Sequence, residues 1–102
     1  MRTVLLLKED DADSLELAAM LTDDGEDVSL VLTQNAVYHT TGNSKYSSDV
    51  GSLMARGVEI YALHEHVARR GLNNYVVPGS KLIDYDELID LLFREDQRVL
   101  NL

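Results

Sequence analysis

The chain contains no cysteine, and that absence removes a whole branch of chemistry. Without a thiol there is no disulfide, no thiolate metal site, no persulfide carrier and no cysteine nucleophile. Lysine is scarce too, with only Lys8, Lys45 and Lys81. Acidic residues outnumber basic ones 18 to 9, for a formal net charge of −9. A surface this negative repels phosphate backbones, so direct binding to nucleic acid or to anionic membranes is not expected. The Asp-rich, Lys-poor bias suits a high-salt cytoplasm, and equally a soluble surface that resists self-association. Long apolar runs are also missing. Val4–Leu7 is followed at once by Lys8-Glu9-Asp10-Asp11, too short for a signal-peptide core or a membrane span, so a cytoplasmic location is expected. Neither G-x-G-x-x-G nor G-x-x-x-x-G-K-[ST] occurs, and no G-x-S-x-G elbow is present. Phosphate-loop nucleotide binding and α/β-hydrolase chemistry are unsupported.

What is present reads as one ordinary globular domain over residues 1–102, with 45% apolar and 26% charged residues. Apolar and polar segments alternate in a βαβα rhythm. Thr3–Leu7, Val28–Leu32 and Val58–Leu63 are apolar without alternation, the pattern of strands buried on both faces. Between them the spacing predicts helices over Asp11–Thr22 and Tyr46–Arg56, with Ala12, Leu15, Ala18, Ala19 and Thr22 on the inner stripe of the first. Val50, Leu53 and Met54 should face inward on the second, and Gly51-Ser52 reads as a helix-packing position. Asp10, Asp11 and Asp13 suit a helix N-terminus. Thr33–Lys45 is a long polar stretch and is expected as a loop. His64–Arg70 can form a short helix stopped by Gly71, and Leu82-Ile83 a short strand. Asp84 and Glu87 are spaced as a capping box for a last helix, with Leu88, Ile89, Leu92 and Phe93 as its apolar stripe. Arg98–Leu102 can dock as an edge strand. The expected fold is α/β, a three-layer sandwich with a mainly parallel sheet of four to five strands, of flavodoxin-like architecture.

Ligand sites in such sheets lie beyond the carboxyl ends of the strands. Those ends carry Lys8–Asp11, Thr33–His39 and His64–His66. The acidic run after the first strand resembles the metal pocket of receiver domains, but Tyr61-Ala62-Leu63-His64-Glu65 offers no phospho-accepting Asp at the end of the third strand. Helix capping accounts for the acids as well. His64 and His66 stand two apart, about 200° apart on the short helix expected there, so that helix would not let one metal take both. No metal and no cofactor is expected. Arg69-Arg70 reads as a solvated or ion-paired surface. Gln34, Asn35 and Tyr38 are placed to hold a partner's backbone or a small polar molecule; loop self-bonding would use the same groups.

Gly57-Val58-Glu59-Ile60-Tyr61-Ala62-Leu63-His64 through Ala68-Arg69-Arg70-Gly71-Leu72 resembles the DsrH/TusB branch of the DsrE-like sulfur-relay family. That branch has a strand ending in Tyr-Ala-Leu and a short helix closed by Arg-Gly-Leu. Ile83-Asp84-Tyr85 before the last helix is similar to its Ile-Asp-Tyr segment. Leu30-Val31-Leu32 with Gln34-Asn35-Ala36-Val37-Tyr38 resembles its strand and Gln-Asp-Gly-Val loop, with Asn35-Ala36 replacing Asp-Gly. The resemblance implies a DsrE-like fold and a homo- or hetero-oligomer with cysteine-containing DsrE-like subunits. Such assemblies pass persulfide sulfur toward 2-thiolation of a tRNA wobble uridine or toward sulfur oxidation. A chain without cysteine would serve there as a non-catalytic subunit, with Gln34, Asn35, Tyr38, His39, His64 and Arg69 as candidate contact residues. The competing expectations are a ligand- or metal-binding flavodoxin-like module using Gln34, Tyr38, His39 and His64, and an acid–base enzyme using His64 with Glu65 or Asp10.

Overall fold

The computed structural model describes residues 1–102. Its strands are β1 (Arg2–Leu7), β2 (Asp27–Leu32), β3 (Glu59–Leu63), β4 (Ser80–Ile83) and β5 (Gln97–Asn101). All pair in parallel, in the order β4-β3-β2-β1-β5. The helices are α1 (Ala12–Asp23), α2 (Ser47–Ala55), α3 (His64–Arg69) and α4 (Tyr85–Leu92). The α/β sandwich expected from the apolar runs is the fold observed, and the register of Leu7 with Leu32 and of Leu32 with Ala62 aligns the strand ends.

Alternate residues of each strand serve different faces. Leu5, Leu7, Leu30, Leu32, Ile60 and Ala62 pack with Leu15 and Ala18 of α1, Val50 and Leu53 of α2 and Val67 of α3. Val4, Val31, Leu63 and Ile83 meet Leu88 and Leu91 of α4. One face therefore carries three helices and the other carries α4 alone. Each buried Leu or Ile contributes about 1.5–3 kcal/mol relative to exposure.

Four expectations need correction. The stretch Thr33–Lys45 is not simply loop, because Gln34–Thr40 forms a 3₁₀ helix. Ala36, Val37, His39 and Thr40 face inward, and the hydroxyls of Thr40 and Thr41 donate to the carbonyls of Val37 (2.7 Å) and Tyr38 (2.9 Å). In α1 the buried side is Ser14, Leu15 and Ala18, while Ala12 is exposed. In α4 the core takes Leu88 and Leu91, whereas Ile89 and Phe93 are 52% and 81% exposed. Leu92 packs partly buried against the same cluster, as expected, so the inner stripe is Leu88, Leu91 and Leu92, at i, i+3 and i+4, with Ile89 and Phe93 outside it. Gly51 makes no close helix contact, since a Cβ built there would meet nothing within 4 Å. The capping box of Asp84 and Glu87 is formed in both directions, at 2.8 and 3.2 Å.

Candidate functional site

The carboxyl ends of β1, β2 and β3 bring three segments together. After β1, the Asp11 side chain accepts the Ser14 N–H (3.1 Å) and caps α1, so this carboxylate serves the helix. After β2, the hydroxyl and the N–H of Thr33 both donate to the Leu7 carbonyl, each at 3.0 Å. That clamp launches the 3₁₀ helix across the end of β1. After β3, His64 begins α3 without a loop, which sets the 3₁₀ helix against α3.

A polar network spans that junction. The Gln34 N–H donates to Nδ1 of His66 (2.7 Å), which leaves the proton of a neutral ring on Nε2. Nε2 lies 3.3 Å from the Tyr85 hydroxyl, and the two rings meet edge-on with centroids 6.2 Å apart. The Asn35 side-chain carbonyl accepts from Nη2 (3.1 Å) and Nε (3.3 Å) of Arg70, and its amide donates to Glu9 (3.4 Å). Arg70 Nη1 also donates to the His66 carbonyl (3.3 Å). Burial, and then the neighbouring Arg70 and Arg69 charges, hold His66 below the usual histidine range, against a smaller opposing pull from Glu65. The network offers amide, phenol and guanidinium groups to an incoming molecule.

The candidate residues separate accordingly. Gln34 and Asn35 join the network. Tyr38 borders a neighbouring cleft of about 550 Å³ with Asp10, Lys45, Leu72 and Tyr75. His39 points inward and is buried, with the Tyr46 ring 5.8 Å away; burial lowers its pKa, partly offset by the charges of Asp10 and Asp11. His64 is exposed and outside the network. Arg69 pairs with Glu65 one turn earlier, the ion-paired surface role, while Arg70 reaches Asn35. His66 was expected at the strand ends but weighed there only as a metal ligand, and Arg70 and Tyr85 were not among the candidate contacts. His66 and Arg70 are four apart on α3, so they share a face once a helix is assigned. Tyr85 follows Asp84 as the first residue of α4, but nothing in its spacing places it beside His66. No three His, Asp or Glu side chains stand close enough to hold a metal ion.

Solved structures share this architecture from end to end. The ychN protein from E. coli matches with a TM-score of 0.85 at 19% identity, covering 100% of this chain and 99% of its own. A protein of unknown function from Methanobacterium thermoautotrophicum matches with a TM-score of 0.81 at 23% identity, covering 99% and 98%. A conserved protein of unknown function from Bacteroides thetaiotaomicron matches with a TM-score of 0.82 at 12% identity, covering 99% and 94%. No curated protein matches the chain in sequence. These likenesses define the class as an α/β sandwich with a parallel sheet. Within that class, residues 4–98 match the family described as DsrH like protein. The chain belongs to the DsrH-like family, and in kind it is a sulfur-relay subunit. No helix is long and apolar enough to cross a membrane.

Proposed function

We propose that this chain is a non-catalytic docking subunit, acting in the cytoplasm beside cysteine-bearing subunits of the same fold. The observation that carries this reading is membership of the DsrH-like family by a chain without any thiol. Sulfur passed as a persulfide must sit on a thiolate at each station, so the sulfur stays on a partner and this chain orients it. The pathway proposed is 2-thiolation of a tRNA wobble uridine, with the tRNA held by other subunits because the net charge of −9 opposes RNA.

Two surfaces support docking. One is the strand-end network of Gln34, Asn35, His66 and Arg70. The other is the outer stripe of α4, where Tyr85, Ile89 and Phe93 recur every four residues and stand exposed. Asp86 and Asp90 flank that stripe and would repel the same surface of a second copy. The occupant proposed is therefore a cysteine-bearing subunit whose apolar patch is rimmed by Lys or Arg.

Affinity-tagged chain purified from the cells that make it should recover small α/β proteins containing cysteine, and cells lacking it should lose 2-thiouridine from tRNA. A clean monomer overturns the docking reading. Unchanged 2-thiouridine with impaired sulfur oxidation overturns the pathway alone. Covalent uptake of labelled sulfane sulfur by the purified chain would overturn its non-catalytic role.

A further inference from the structure

Every strand of the sheet has a neighbour on both sides except the two at its edges, β4 and β5. The edges differ. β4 is four residues long, follows Pro78-Gly79 and carries Lys81; shortness, a proline and a lysine are all devices that keep an edge from pairing with another chain. β5 has no proline, glycine or lysine. Its one charged residue, Arg98, is held by Glu26 (3.0 Å).

The phase of the ladder fixes which groups of β5 stay open. The Leu102 N–H donates to the Leu6 carbonyl (3.0 Å), so Leu102 faces β1. The N–H and C=O of one strand residue point to the same side, and successive residues alternate. Arg98 and Leu100 therefore bond β1, while Gln97, Val99 and Asn101 turn their N–H and C=O outward, where the sheet has no further strand.

That outward set is complementary to itself. A second β5 turned antiparallel about Val99 places Val99 opposite Val99, and Gln97 opposite Asn101 in both directions. Each of these pairs falls at a position that exchanges two backbone hydrogen bonds. Val99 shares the face of Val4 and α4 and is 38% exposed; in this register it lies against its own copy. Beside it, the Gln97 side chain donates through Nε2 to the Leu91 carbonyl (2.6 Å), which leaves its oxygen to accept from the Asn101 amide of the other strand. Arg98 falls opposite Leu100, so no like charges meet.

We infer that β5 pairs antiparallel with β5 of a second copy, joining two five-stranded sheets into one about a two-fold axis at Val99. The contact is isologous and closes at a dimer. A five-residue edge is a small interface, and the net charge of −9 on each copy opposes approach, so the dimer is reversible and strengthens with salt. The pairing uses neither the strand-end network nor the outer stripe of α4 and is independent of the sulfur-relay reading.

The test is sedimentation equilibrium of the purified chain in moderate salt, joined to amide hydrogen exchange by NMR. The chain should pass from monomer to dimer as its concentration rises. Over the same range the Val99 N–H should gain protection, while those of Arg98 and Leu100, already bonded to β1, keep theirs. Val99→Lys and Val99→Glu alone should each weaken the dimer by about tenfold or more, because like charges then meet on the axis. Mixing the two should restore it as a heterodimer. Val99→Pro, which removes only an outward N–H, serves as the blocked variant if a charged one does not fold. A monomer at every concentration, Val99 exchange that ignores concentration, variants that dimerise as well as wild type, or a mixture no tighter than either variant alone overturns the pairing. The docking of cysteine-bearing subunits would stand in each of those cases.

Discussion

His66 accepts, through Nδ1, the backbone N–H of Gln34, a residue held at φ 51°. A non-glycine residue in that left-handed region is strained, and here a histidine from the neighbouring helix holds its amide in place. The bond exists only while Nδ1 carries no proton. The polar junction of the strand ends is thus coupled to the protonation of an imidazole that burial holds below the ordinary histidine range.

The first prediction concerns pH. His39 and His66 both have pKa values below the usual histidine range, chiefly through burial. The unfolded chain, with ordinary histidines near 6.5, binds more protons than the folded one as pH falls below that value. The stability from keeping the rings neutral is complete above the unfolded pKa and is lost as pH falls through the folded values. Tm should therefore drop between pH 7 and pH 5. In His39→Leu and His66→Asn the histidine share of that slope should shrink. A slope unchanged in both variants would refute the assignment.

A second prediction follows from the strain at Gln34. Placing an L-residue in the left-handed region costs about 1–2 kcal/mol, and glycine avoids most of this while adding disorder to the unfolded chain. Gln34→Gly should raise the urea midpoint by an amount equivalent to about 0.5–1 kcal/mol. A lowered midpoint would show that the Gln34 side chain contributes more than its backbone costs.

The third prediction separates the two sides of α4. Leu91→Ala should cost about 2–5 kcal/mol, as for other buried leucines, and Asp84→Ala about 1 kcal/mol through loss of the cap. Phe93→Asp should change stability by less than about 0.5 kcal/mol yet abolish recovery of cysteine-bearing partners. Chemical denaturation reads the first two, and the tagged purification reads the last. Retention of the partners by a folded Phe93→Asp protein would remove α4 as a docking surface.

The fourth prediction is that Gly51→Ala raises stability by about 0.5–1 kcal/mol, the usual gain of alanine over glycine inside a helix. Nothing lies within 4 Å of the added carbon, so no clash opposes it. A fall in Tm would mean that the backbone at Gly51 is held in a way the helix geometry does not reveal.

Much of the fold was legible because buried parallel strands announce themselves. Val28–Leu32 is buried throughout and Val58–Leu63 is exposed only at Glu59 and half-buried at Tyr61, and the Asp84–Glu87 spacing marked a helix start that the structure bears out. The stretch after β2 was harder. Its polar residues hide a 3₁₀ helix whose repeat is close to three, and Ala36, Val37 and His39 offer no 3.6-residue stripe to detect. On α4, Leu88, Ile89, Leu92 and Phe93 are all apolar, so composition alone could not say which of them the sheet would cover. The same limit applies to the site. Gln34 and Asn35 were visible as amides at a strand end, while His66 and Tyr85 met only because α3 and α4 approach one another in space.

The placement of β5 beside β1 has a consequence for how the molecule is made. The two strands pair from Arg2 with Gln97 to Leu6 with Asn101, so the sheet joins segments separated by nearly the whole chain. Pairings of such high sequence separation form slowly, because a large loop must close first. During synthesis the outer edge of β1 stays unpaired until Gln97–Asn101 have emerged from the ribosome, and a bare strand edge invites pairing with other chains. Docking of Gln97–Asn101 against Arg2–Leu6 is the step that covers this edge of β1.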